Sequence, residues 1–336
     1  MMQRLRMNQA IALAIREEME RDNRIIMMGE DIAEAEGSFK TSEGLLKRFG
    51  PSRVRDTPIS EMGFLGAAVG AAATGLRPVV EIMFIEFLGV ALDQVVTEAA
   101  LMRYLSGGTL QVPLTVRASA GAGLGFGCQH SQTLERWLIG SPGLKVAIPS
   151  GARTAYGLMK AAIRDDDPVV VIEPRPLYGR REVFDAQPDA VIPLGVGEVL
   201  QEGEDVTIVA LGQTVGIARA AAAAASWSAD VIDLRAIQPW DRELVQASVE
   251  KTGRLVTVEE NQFSGGWGTG IVSSVVGSCF GALRSPPVRI TAPDVPVPYG
   301  TDLEQRFVPS ADYVSTQVEV LLKTDRVPRS WWEELS

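Results

Sequence analysis

The chain has 336 residues, 32 of them Lys or Arg and 42 Asp or Glu, for a formal charge of −10; 46% are hydrophobic. At roughly 150 residues per domain this length predicts about two domains, and the apolar content excludes a disordered chain while supplying two cores and a buried subunit face. The acidic balance argues against general nucleic-acid or anionic-membrane binding, and one histidine with two cysteines excludes a His-rich metal site and a disulfide scaffold.

Residues 1–22 mix Arg4, Arg6, Arg16 and Arg21 with Glu17, Glu18, Glu20 and Asp22 around a short apolar stretch, a pattern that argues against a secretory signal and against a transit peptide. The longest apolar segment, 62–76, is interrupted by four glycines and is shorter than the ~18 residues of a spanning helix. Cys128 and Cys279 have no CxxC spacing, as expected in a reducing compartment, and the expectation is a cytoplasmic protein.

Apolar periodicity predicts a helix over 8–19 and a strand over 24–28 that ends in Gly29-Glu30-Asp31. A loop over 56–60 delivers Glu61 to a small-residue helix over 62–75. Strands follow at 78–84, 113–117, 145–149 and 168–173, with helices at 88–105 and 153–164 and a glycine loop at 121–127. Alternation of this kind implies an α/β fold with parallel sheets. Residues 174–205 have the Pro, Gly and charge content of a linker. Strands at 206–211, 230–234, 254–258 and 288–290, with helices at 215–225, 241–249 and 270–280, then form a second α/β domain. The boundaries are 1–185 for the first domain, 186–204 for the linker and 205–336 for the second domain.

Neither glycine-rich loop, at 121–127 or 265–270, has the G-x-G-x-x-G spacing of a dinucleotide site or the ending of a Walker loop, so both read as mobile or closely packed backbone. Ser60 is a candidate N-cap and Glu61 lies in the first helical turn, where a carboxylate suits the helix dipole. A partly buried carboxylate leading into Met62, Phe64 and Leu65 would equally suit proton exchange. His130, the single imidazole, follows the glycine loop at the expected entry to a helix, where structural and catalytic roles both fit. The G-x-S-x-G elbow of a serine hydrolase is absent.

Several of these segments also occur together in one family. Asp56-Thr-Pro-Ile-Ser-Glu61-Met-Gly-Phe, Gly75-Leu-Arg-Pro-Val-Val-Glu81, Asp93-Gln94, Ser106-Gly-Gly108, Gln129-His-Ser-Gln132, Pro142-Gly-Leu-Lys-Val146, Ala162-Ile-Arg-Asp165, Asp167-Pro-Val-Val and Val258-Glu-Glu-Asn261 resemble the β subunit of thiamine-diphosphate-dependent 2-oxo acid dehydrogenases, of the pyruvate or acetoin type. The resemblance spans nearly the whole chain. It implies a pyrimidine-binding thiamine-diphosphate domain followed by a transketolase-like C-terminal domain.

It further implies a heterotetramer with an α subunit that holds magnesium and the diphosphate through a Gly-Asp-Gly…Asn motif absent here. The helices at 62–75 and 92–102 would then be interface elements. By the same resemblance, Glu61 bonds the aminopyrimidine ring nitrogen and Phe87 packs on that ring. His130 serves near the substrate and an incoming lipoyl group. Leu114, Ala162, Ile163, Asp165 and Asp167 form a potassium site, with Asp167 where some relatives have Asn. The implied activity is oxidative decarboxylation of a 2-oxo acid, best pyruvate, with acyl transfer to a lipoyl acyltransferase core. Acetoin cleavage, acyl transfer to a carrier protein and a non-catalytic interaction subunit are the alternatives.

Overall fold

The computed structural model describes residues 2–333, which form two compact units. The first comprises the chain through Ala120, Trp137–Leu194 and Ile237–Pro239. The second comprises Gly121–Arg136, Gly195–Ala236 and the chain from Trp240 onward.

The first unit holds β1 (Met2–Arg6), α1 (Met7–Arg21), β2 (Ile25–Gly29), α2 (Leu45–Phe49), β3 (Val54–Asp56), α3 (Glu61–Ala73), β4 (Arg77–Ile82) and α4 (Ala100–Leu105). It continues with β5 (Thr115–Ala120), β6 (Lys145–Ala147), α5 (Ala152–Arg164), β7 (Val169–Pro174) and β8 (Arg181–Asp185). With the late strand β12 (Ala236–Gln238) its main sheet has the order β12-β6-β7-β5-β4-β2-β3, and the pairs from β6 to β3 are parallel. Every residue of β4, β5 and β7 is buried, as befits strands covered on both faces. On one face α1 packs on α5, and Met7, Ile11, Ile15 and Met19 share a core with Tyr156, Met159 and Ile163.

The second unit holds β9 (Glu198–Gln201), β10 (Val206–Ala210), α6 (Thr214–Ala224), β11 (Ala229–Asp233), α7 (Arg242–Thr252), β13 (Leu255–Gln262), α8 (Gly268–Cys279), β14 (Val288–Ala292), α9 (Thr301–Phe307) and α10 (Ala311–Thr324). Its sheet runs β14-β13-β10-β11-β9, parallel except for the antiparallel edge strand β9. Among the described residues no helix is long and apolar enough to cross a membrane.

Three local expectations change. The stretch read as linker contains β8 and β9; β8 pairs antiparallel with β1, from Met2↔Asp185 to Arg6↔Arg181. These ribbon strands are largely exposed, so no apolar run marks them. The helix expected over 88–105 is three pieces: a 3₁₀ turn at Ile85–Ala91, a wider π-helical segment at Gln94–Ala99, and α4. Val95, Val96 and Thr97 are β-branched and crowd a regular α-turn. The helix expected after His130 does not form, and only a 3₁₀ turn at Glu135–Trp137 follows.

Candidate active site

In the first sheet the chain steps from β2 outward to β3, then returns to the other side of β2 to lay down β4. Such a reversal opens a crevice beyond the carboxyl ends of the two strands, where α/β folds bind ligands. Glu30 is the first residue after β2, and the connection after β3 leads into Glu61 at the start of α3. The segment after β2 is shaped by close contacts. Gly29 lies flush against β4, where a Cβ would sit 2.7 Å from the Glu81 carbonyl oxygen. The Asp56 carboxylate accepts the N–H groups of Ala33 at 2.7 Å and Glu34 at 3.3 Å.

Glu61 is half-buried. Ser60 holds the N-cap position, but its hydroxyl makes no capping bond, so the local helix-capping account is incomplete. The neighbour that matters is Glu30. Its Oε1 is buried with no hydrogen-bond partner, and burial first, then the charges of Glu61 and Asp31, raise its pKa. A buried carboxyl oxygen left without a partner suits a ligand that brings its own proton or donor. Glu30 carried no distinct signal in the sequence, where it read only as the end of a strand.

Phe87 is half-buried in the 3₁₀ turn that packs on α3. Its ring meets Phe84 edge-on at 5.5 Å, and its N–H donates to the Phe84 carbonyl at 2.9 Å. Phe84 in turn meets Phe39 at 6.0 Å, so the half-buried Phe87 belongs to an aromatic row. Deeper in the sheet, Arg117 joins three strands: it donates to Glu81 at 2.6 Å and through a fork to Glu173 at 2.7 and 2.9 Å. Tyr178 adds a 2.6 Å bond to Glu173.

His130 belongs to the second unit. Its N–H donates to the Gly127 carbonyl at 3.3 Å, and Nδ1 lies 2.5 Å from the Gln129 carbonyl. A carbonyl only accepts, so Nδ1 is the donor in this contact.

Of the residues of the expected potassium site, Ala162, Ile163, Asp165 and Asp167 lie at the turn from α5 to β7 in the first unit, and Leu114 is tied to the start of β7. The carbonyl oxygens of Ile163 and Asp165 accept from the buried Arg77 guanidinium at 3.0 and 2.6 Å. Leu114 accepts from the Val169 N–H at 2.9 Å, and Ala162 from the Asp165 N–H at 3.3 Å. Lys145 Nζ lies 2.7 Å from both Asp165 oxygens and 3.5 Å from Asp167, and Arg103 Nε donates to Asp167 at 2.5 Å. Each carbonyl retains a second lone pair, but the turn's charges are already matched by the chain's own cations.

Two family models match the chain. One, described as transketolase, pyrimidine binding domain, covers residues 3–181, and the other, transketolase, C-terminal domain, covers 195–314. A rice mitochondrial protein named pyruvate dehydrogenase E1 component subunit beta-2 is 46% identical over 90% of this chain and 82% of its own length. The chain belongs to the β-subunit family of thiamine-diphosphate-dependent 2-oxo acid dehydrogenases. The human mitochondrial pyruvate dehydrogenase E1 subunit beta is 43% identical over 89% of this chain and 86% of its own. The corresponding Rhizobium meliloti subunit is 42% identical over 93% and 69%. Among solved structures, a split-gene transketolase described as an inactive β4 tetramer superposes with a TM-score of 0.77 at 26% identity, covering 96% of this chain and 99% of the other. The two-domain transketolase-like fold of this dehydrogenase family is therefore the fold of the chain.

Proposed function

We propose that this chain supplies the pyrimidine-side half of a thiamine-diphosphate site and works with an α-type subunit in a heterotetramer. The complex would oxidatively decarboxylate pyruvate and pass the acetyl unit to a lipoyl group of an acyltransferase core. The observation that carries this reading is the Glu30–Glu61 pair at the β2/β4 crevice, whose orphaned buried oxygen and like charges suit a protonatable heterocycle. The names of the relatives support pyruvate as substrate.

When bound, thiamine diphosphate supplies a nucleophilic carbon and an electron sink for the 2-oxo acid. Glu61 would bond the pyrimidine ring nitrogen and hold a proton there, and Glu30, whose carboxyl pKa is raised by burial and by the charges of Glu61 and Asp31, would lie at the same crevice. Phe87 would bound the ring and exclude water. His130 would give a proton from Nε2 to the lipoyl sulfur that leaves when its disulfide opens. Magnesium would be held mainly by the α-type subunit. A potassium ion at Leu114, Ala162, Ile163, Asp165 and Asp167 is part of the proposal in a minor role, because Arg77, Lys145 and Arg103 already order that turn. The exposed small residues of α3, including Gly63, Ala67 and Gly70, suit close subunit packing. Cys128 and Cys279 are free thiols, which suits a cytoplasmic location.

The test is co-expression with an α-type subunit and assay by dye reduction with pyruvate, acetoin and branched 2-oxo acids. Pyruvate is expected to be the best substrate, and Glu61→Gln is expected to lower turnover by about 10²–10⁴-fold. Unchanged turnover in that variant overturns the role of Glu61. A clear preference for acetoin, or transfer to a carrier protein but not to lipoyl, overturns the substrate and acceptor assignments.

A further inference from the structure

The loop that carries His130 has little intrinsic reason to be ordered. Gly121, Gly123, Gly125 and Gly127 alternate along it, all with positive φ, and it forms neither strand nor helix. Four of its backbone donors are nevertheless taken. Gly121 N–H closes the loop on the Gln132 carbonyl at 3.2 Å, and Ala122 N–H donates to Glu260 at 2.6 Å. Gly123 and Gly125 donate to the two carboxylate oxygens of one residue, Glu304, at 2.8 and 2.9 Å. Gly127 lies flush on the ring of Tyr299, where a Cβ would come within 2.2 Å. Glu304 sits on α9 and is 2% exposed, beside a small apolar cluster of Ala122, Ala292, Val297 and Phe307.

We propose that Glu304 is a positioning residue for His130: its carboxylate clamps alternate N–H groups of the glycine loop and fixes the base from which the Cys128-Gln129-His130 turn springs. The every-second-residue glycine spacing gains a physical reason, since it lets two donors reach one carboxylate. Hydrogen bonds to a charged acceptor are about twice as strong as neutral ones, which suits the ordering of a segment with high backbone entropy. Glutamine at this position keeps the shape but offers one acceptor oxygen and an NH₂ group that faces an N–H. The link to acyl transfer rests on the proposed role of His130.

The test uses the reconstituted α/β complex loaded with thiamine diphosphate and magnesium, with pyruvate as substrate. Dye reduction reports decarboxylation, and reductive acetylation of a lipoylated domain reports transfer. Glu304→Gln is expected to reduce acetylation about tenfold more than dye reduction. Glu304→Asp is expected to fall between this variant and wild type. Glu304→Gln combined with His130→Ala is expected to be no worse in acetylation than His130→Ala alone. Amide exchange over residues 121–130 is expected to speed up in Glu304→Gln. Equal loss in both steps, or exchange unchanged from wild type, overturns the proposal. Should Glu304→Gln fail to assemble, Glu304→Asp decides by the same two criteria. If His130→Ala itself leaves acetylation intact, the reading of His130 falls, and the exchange rates alone decide whether the clamp exists.

Discussion

Two pairs of buried carboxylates, one pair in each unit, are satisfied in different ways. In the first, Glu81 and Glu173 are held by the Arg117 guanidinium across β4, β5 and β7, strands that the backbone ladder already fixes. In the second, Glu260 and Glu304 take the N–H groups of a glycine loop that no ladder orders. The ion pairs therefore join elements that would be ordered anyway, and their main constraint is that none of the partners can be lost. The carboxylate–backbone bonds supply order where none exists. A polar group is more informative about function in the second setting, because its removal loosens one loop instead of the whole sheet.

The largest effect should come from breaking the first arrangement. Arg117→Met leaves Glu81 and Glu173 buried without their cation and should destabilise the chain by about 3–5 kcal/mol, read as a lowered denaturant midpoint. A shift of under about 1 kcal/mol would mean that water or rearranged partners replace the guanidinium.

Glu135 is a third case, a buried carboxyl for which burial outweighs a backbone hydrogen bond and the charge of Arg136. Desolvation, with smaller contributions from Glu260 and Glu259, pushes its carboxyl up to about 8 from an ordinary 4.5. The folded state therefore favours the protonated form. That contribution to stability is full below pH 4.5 and is lost as pH rises through about 8, at no more than about 1.4 kcal/mol per pH unit. Thermal melts from pH 5 to 8.5 should show wild type losing stability relative to Glu135→Gln across that window. Parallel curves would show that Glu135 does not titrate there.

The smallest effect belongs to the aspartate turn, where paired cations make a bound metal ion a minor addition. At ten times its dissociation constant, potassium would contribute about 1.4 kcal/mol. Replacing potassium chloride with choline chloride should lower the melting temperature by no more than about 5 °C. A drop well beyond this would show that the ion, and not Lys145 and Arg103, orders the turn.

Much of the fold is legible in the residue pattern because its strands are buried on both faces and therefore read as apolar runs: β4, β7 and β10 stand out for that reason. β1, β8 and β9 are half-wet and charged, so their pairing could be known only from the chain's path. The site divides in the same way. Glu61 and His130 stand out by residue type, loop context and family motif, and Phe87 by family motif alone. Glu30 and Glu304 are two of many glutamates until the backbone brings them to a crevice and a glycine loop. The sequence by itself determined the α/β class, the family and the candidate chemistry, since these rest on local periodicity and residue identity. Only the tertiary structure decided which carboxylates are paired, crowded or clamped, because desolvation and hydrogen bonding depend on neighbours far apart in the chain.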